Sequence, residues 1–284
     1  NNTITLKTAP TAGSTVYVPN SFDFGHEVII TPDYMKQLSQ IGVNQLFIDH
    51  RGNGTVKAQA GDWSGAFANG KWTKLDLTNL DTSEVTNMTA LFQSDNKLTS
   101  VGNIDKWNTS NVTDMHGMFA GTNSLIADNG TLDIHDWDTS KVIAMNSMFD
   151  GSCSLTKIDV HGWNVSNVIG VDGVGNNGMD MMFRCSASIG GSTLAYTASK
   201  LQTVDISGWS NPDKLKEVGR MFMFDSNLQE VKGINEWLSR PNNIQSIGQM
   251  FRGCTKLQRL NLSKWNVTNL SNMGSAFQDC KSLQ

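Results

Sequence analysis

Residues 132–149 read LDIHDWDTSKVIAMNSMF, and the pattern of this stretch recurs along the chain. It begins with an aliphatic triplet, Leu132-Asp133-Ile134, which alternates apolar, polar, apolar as a short half-buried strand does. Trp137 follows, then a polar turn, then Val142, Met145, Met148 and Phe149. Trp107 and Phe119, Trp137 and Phe149, and Trp265 and Phe277 keep one interval of twelve residues, and Leu80 and Phe92 keep it with leucine in place of tryptophan. Equivalent triplets are Leu75-Asp76-Leu77, Ile158-Asp159-Val160, Val204-Asp205-Ile206 and Leu260-Asn261-Leu262. Val101 to Ile104 and Val231 to Ile234 carry one extra residue, which a small bulge would absorb.

A unit this short cannot hold a core, so the recurrence predicts a solenoid whose coils bury their apolar residues against one another. The steps of three, three and one from Val142 to Phe149 predict one face of a short helix. Ser83, Ser110, Ser140, Ser166 and Thr268 stand where a hydroxyl would cap such a helix. Pro212 and Pro241 stand near the start of two others. The methionines read as core filler between coils, not as a metal or cofactor box. Residues 1–45 follow the pattern poorly and are assigned to an N-terminal cap, with strands at Thr3 to Leu6 and Val16 to Val18 and a short helix from Pro32 to Leu38. Residues 46–284 are assigned to about eight solenoid units, the last cut short, as in a segment of a longer polypeptide.

The formal net charge of −4, with no block of like charges, argues against a nucleic-acid partner held through phosphates. No window approaches the roughly 18 apolar residues of a membrane span. Cys153, Cys185, Cys254 and Cys280 each lie two to four residues past a unit-closing phenylalanine. That shared place favours free, buried thiols stacked along the spine, with disulfides between neighbouring coils as the alternative. There is no nucleophile elbow, zincin motif, phosphate loop or Cys/His metal spacing, so neither an enzyme nor a cofactor is expected.

The phrases of residues 132 to 155, LDIHDWDTSKV followed by MFDGSCSL, resemble the BspA-like leucine-rich-repeat surface proteins of Gram-positive bacteria, notably lactobacilli. The resemblance covers about residues 60 to 284; the longer copies ending at Phe183 and Phe222 depart from its regular spacing. It implies an α/β fold: a right-handed leucine-rich-repeat solenoid with a parallel sheet on one face and short helices on the other. It further implies export, attachment to the bacterial cell wall and, as in several members, adhesion to mucus, epithelium or other bacteria.

Stacked strands place equivalent side chains in columns about 4.8 Å apart. The outward column at the triplet centre reads Asp76, Asn103, Asp133, Asp159, Asp205, Gly233, Asn261. The next reads Thr78, Asp105, His135, His161, Ser207, Asn235, Ser263. Together they form a polar, acidic strip suited to a hydroxyl-rich ligand such as the glycans of host mucin or an epithelial glycoprotein, bound by a monomer. The plainer alternative is that these residues keep the sheet soluble or brace its turns. Asp105, Asp133, His135, Asp159 and His161 form its sharpest patch, within reach of a divalent ion but more simply a pH-sensitive cluster. Two insertions, one carrying Asp172 and Asn176 and the other spanning Ser186 to Lys200, are the second candidate for contacts.

Overall fold

The computed structural model describes residues 2–169, 178–185 and 199–284. They form a parallel β-solenoid of about seven turns with few helices. The strands are β1 (Thr15–Val18), β2 (Ile29–Ile30), β3 (Gln45–Ile48), β4 (Val56–Ala58), β5 (Gly61–Asp62), β6 (Lys74–Asp76), β7 (Leu80–Asp81), β8 (Val85–Asn87), β9 (Thr131–Asp133), β10 (Lys157–Asp159), β11 (Thr203–Asp205) and β12 (Glu230–Lys232). The helices are α1 (Ser21–Phe24), α2 (Pro32–Ile41) and α3 (Ile234–Ser239), with one 3₁₀ turn at Ile104–Lys106. Strands pair in the orders β1-β3-β6, β12-β11-β10-β9, β2-β4-β7 and β5-β8, every pair parallel.

The apolar alternation of the triplets produces the expected strands at Leu75, Leu132, Ile158, Val204 and Val231, but none at Val101 or at Leu260 to Leu262, where Leu262 is exposed. Leu132, Ile158, Val204 and Val231 face inward in register. Behind them two aromatic ladders form the spine. Phe67, Phe92, Phe119, Phe149, Phe183, Phe222, Phe251 and Phe277 stack with centroids 5.2–5.8 Å apart. Trp107, Trp137, Trp163 and Trp209 stack at 6.1–6.5 Å. A buried indole N–H needs an acceptor, and each of these four reaches a carbonyl of the preceding coil: Leu77, Ile104, Ile134 and Val160, at 2.7–3.2 Å.

Among the described residues no helix forms over Val142 to Phe149 or its counterparts. Two residues before each closing phenylalanine the backbone turns left-handed, at Ala90, Gly117, Ser147, Met181, Arg220, Gln249 and Ser275, with φ between 54° and 59°. That conformation ends an α-helix and costs an ordinary residue roughly 1–2 kcal/mol. The cost is offset because alternate N–H groups then point along the solenoid axis. Met88, Ala90 and Phe92 donate to Asp114, His116 and Met118, and Phe119 donates to Met148, at 2.7–2.9 Å. The N–H groups between them close tight turns, as Leu91 does on Met88 and Met118 on Met115. At about 1 kcal/mol net for each such bond, added to a buried phenylalanine worth about 1.5–3 kcal/mol, the coil is favoured over the helix.

The expected hydroxyl caps are corrected in the same way. Asp81, Asn108, Asp138, Asn164 and Asn266 accept from the N–H of the residue two ahead, Ser83, Ser110, Ser140, Ser166 and Thr268, at 2.9–3.2 Å. The serine is a donor in an Asx turn, not a cap. Between them the hydroxyls of Thr82, Thr109 and Thr139 reach the next coil's carbonyl, each at 3.0 Å. Pro212 and Pro241 begin no helix. The extra residue after Val101 and Val231 is taken up by Gly102 and Gly233, at φ 78° and 82°, just before the 3₁₀ turn and α3.

The thiol expectation is corrected at one pair. Cys153 and Cys185 form a disulfide, with Cα atoms 5.4 Å apart. Gly151 donates to Arg184 of the next coil and turns left-handed at φ 80°, which brings two cysteines of unequal offset face to face. Cys254 and Cys280 are free, and each thiol donates to the carbonyl of the preceding coil's phenylalanine.

At the N-terminal end β1 pairs with β3 over four residues and β3 with β6. The side chain of Thr31 caps α2, and Pro32 opens it, as its fixed φ permits. Its buried face is Tyr34, Met35 and Leu38. Of residues 3–6, Thr3 makes an isolated bridge to Ile29.

Candidate ligand-binding face

The sheet β9 to β12 sets Asp133, Asp159 and Asp205 side by side in strict register. The column continues through Lys232, not Gly233 as the spacing suggests, because the extra residue follows the strand rather than preceding it. The acidic run therefore ends on a cation. Asp159 is nearly buried, and Asp133 has a half-exposed side chain.

Each column aspartate spends one oxygen on its own turn. Asp133 Oδ1 accepts from the His135 N–H at 3.3 Å and lies 2.6 Å from His135 Nδ1. Asp159 does the same with His161, at 3.4 and 2.7 Å. Asp76 holds the N–H and hydroxyl of Thr78, and Asp205 the N–H of Ser207 at 3.0 Å. The two imidazoles stack at 4.2 Å with planes 15° apart. Beyond the rings, His135 Nε2 is 3.2 Å from Asp136 Oδ1, and Lys106 joins Asp136 to Asp105 at 2.8 and 3.1 Å. The structure thus brings together Asp105, Asp133, His135, Asp159 and His161 as one network, with Asp205 one coil further along. Asp172 and Asn176 lie outside the described residues.

Three residues missed by sequence reasoning belong to this network: Asp136, Lys106 and Lys157. Lys157 was findable, since it stands two residues before Asp159 on the same outward face; its Nζ is 2.9 Å from Asp159 Oδ2. Burial pushes the Asp159 carboxyl up, but hydrogen bonds from Lys157 and His161 outweigh it and hold the group below the usual carboxylate range. The hydrogen bond to Asp133 raises His135 above an ordinary imidazole, with Asp136 and Asp159 adding to it. At the near end of the strip His50 Nε2 is 3.0 Å from Asp76 Oδ2.

With both Nδ1 atoms turned back on their own carboxylates, the stacked rings do not converge on a point. Among the described residues no group of three or more His, Cys, Asp or Glu side chains could hold a metal ion. The strip can instead offer the second oxygen of Asp133, the outer edge of His161, and Lys106 and Asp136 as hydrogen-bonding groups. A separate groove of about 540 Å³ lies on another face, bordered by Asp180, Glu217, Arg220, Ser246 and Asn272. Asp180 and Arg220 are ion-paired across it. Among the described residues no helix is long and apolar enough to cross a membrane.

No curated protein and no solved structure matches this chain. Residues 61–180 and 191–284 match the family described as "Mycoplasma protein of unknown function, DUF285", and they carry the tryptophan ladder and all of the phenylalanine ladder but Phe183. Since the match takes in most of the chain, the protein belongs to the DUF285 family.

Proposed function

We propose that this chain is the adhesion module of a bacterial cell-surface protein, binding host mucus or epithelial glycoproteins as a monomer. The contacts are assigned to the sheet face and to the two insertions, the one that carries Asp172 and Asn176 and the one from Ser186 to Lys200. The observation that carries the reading is the register of Asp133, Asp159 and Asp205 with the stacked His135–His161 pair beside it. A column of like groups at coil spacing offers a repeated ligand repeated weak contacts, which sum by avidity. The disulfide supports a place outside the cytosol, where such bonds persist. The aliphatic triplet and its inward Leu, Ile and Val support kinship with BspA-like leucine-rich repeats, although the face opposite the sheet is built of turns.

His135 gains its proton more readily than a free imidazole, so acidification makes the strip less negative and strengthens binding to anionic mucin. The test is binding of the segment to immobilised mucin at pH 5 and pH 7, with a His135→Ala/His161→Ala variant. Stronger binding at pH 5 that the variant abolishes supports the reading; an unchanged pH profile in the variant removes the histidines from it. A second reading, a spacer that presents another domain, is favoured by the oxygen each aspartate commits to its own turn. Absence of mucin binding at both pH values would select the spacer, whereas release of reducing sugar would indicate a glycan-acting enzyme.

A further inference from the structure

The outward column of the sheet changes chemistry at its N-terminal end. Tyr17, Phe47 and Asp76 are in register across β1, β3 and β6. The Tyr17 ring stacks on Phe47 at 5.5 Å, and 76% of the residue is exposed. Among the described residues β1 pairs on one side only, and no strand lies beside the other face of the ring. Ser14 and Val18 accept hydrogen bonds from the β3 side. In a parallel ladder the residues between them, Thr15 and Tyr17, therefore turn their own N–H and C=O groups to the open edge. On the far side of Phe47 the Lys74 ammonium lies 5.1 Å from the ring centroid. No carboxylate among the described residues lies within ion-pair distance of it, and its neighbour Asp76 is already engaged by His50 and Thr78. An exposed aromatic ring, main-chain donors and acceptors beneath it, and an unneutralised cation one ring away are three different recognition groups in one line.

We propose that Tyr17, Phe47 and Lys74 form a subsite for an acidic oligosaccharide, with the C–H face of a hexopyranose on Tyr17 and the carboxylate of the adjoining sugar on Lys74. The stacked rings set the two contacts about a disaccharide apart. The open edge of Thr15 and Tyr17 supplies hydrogen bonds to the ring hydroxyls. Charge selects the occupant: a neutral glycan leaves the Lys74 ammonium unsatisfied, and a nucleic acid would meet the acidic strip that begins at Asp76. This subsite rests on the glycan-binding reading but not on the Asp133–His161 patch.

The test is saturation-transfer NMR and titration of the whole segment with 3′-sialyllactose, and with lactose as the neutral probe. Expected are transfer to the sialylated probe and contact shifts at Tyr17. Tyr17→Ala should weaken binding about tenfold, which converts to ~1.4 kcal/mol for the lost stacking contact. Tyr17→Phe should retain it, and Phe24→Ala, an exposed aromatic elsewhere, should leave it unchanged. Lys74→Gln should reduce the sialylated probe to the level of lactose, and added salt should weaken the wild type only. Because Tyr17 and Lys74 are exposed, none of these variants threatens the core. No transfer at millimolar probe, a Tyr17→Ala variant that binds as wild type, or a dimer that Tyr17→Ala dissolves would each overturn the proposal. Loss of mucin binding in the His135/His161 variant with sialyllactose binding intact would sink the strip alone.

Discussion

Two buried carboxylates and one surface imidazole show how single residues set the response of this molecule to acid. Asp95 is buried; its Oδ1 accepts from the Gly70 N–H at 2.7 Å and its Oδ2 has no partner. Burial pushes its pKa up to about 8, against the ordinary value of roughly 4. The unfolded chain therefore gives up this proton near pH 4 while the folded chain keeps it to about pH 8, so the stability difference falls across that window as pH rises and levels off above it. Asp225, buried with the Ser199 hydroxyl on one oxygen, is raised for the same reason and pulls the same way. Asp95→Asn should flatten part of the pH dependence, by on the order of a few kcal/mol between pH 4 and 8, measured as urea midpoints at several pH values. His135 works on the surface: its raised pKa contributes stability below the imidazole's unfolded value of about 6.5, lost as pH climbs through the folded value. Asp133→Asn should lower the His135 titration midpoint in NMR, since the hydrogen bond that His135 donates to Asp133 is the chief cause of the shift.

At the scale of one coil, the sequence revealed what is buried but not the backbone path that buries it. Val142, Met145, Met148 and Phe149 are all buried as their spacing requires. A helix and a pair of tight turns present the same three-three-one series, so hydrophobic period alone cannot separate them. The deciding feature is the left-handed residue two before each phenylalanine, and it is hidden because Ala90, Ser147, Arg220 and Gln249 share no chemistry that marks it; Gly65 and Gly117 hint at it. The acidic columns were legible because strand period fixes direction. The hydrogen bonds that tie Asp133 and Asp159 to their own turns were open as an alternative, and Lys232 was misplaced by a single residue in register. The turn yields a prediction that a helix does not. Ala90, at φ 54°, should tolerate glycine with little loss or a gain of up to ~1 kcal/mol, whereas Ala90→Val should cost ~1–2 kcal/mol beyond any packing change, read from urea unfolding. In a helix the order would reverse, because glycine would be the costly substitution.

For the whole molecule, one-dimensional stacking decides how far a local lesion spreads. Each coil touches only its neighbours, so stability is a sum of coils and interfaces, not the property of one closed core. The Cys153–Cys185 bond spans 32 residues of sequence and fastens two successive coils on either side of the insertion carrying Asp172. By loop-closure entropy such a link contributes about 3–4 kcal/mol, and the contribution belongs to the coils it joins. Reduction, or Cys153→Ser with Cys185→Ser, should therefore speed amide exchange at Ser147, Phe149 and Phe183, whose N–H groups bond to the following coil. Val16, Val18, Leu75 and Leu77, several coils away, should keep their protection. Hydrogen exchange followed by mass spectrometry reads both regions in one experiment. Uniform loss of protection from Val18 to Leu257 would mean that the stack unfolds as a single cooperative body, and with it would fall the idea that the Tyr17 end and the Asp133 patch act as independent sites along one scaffold.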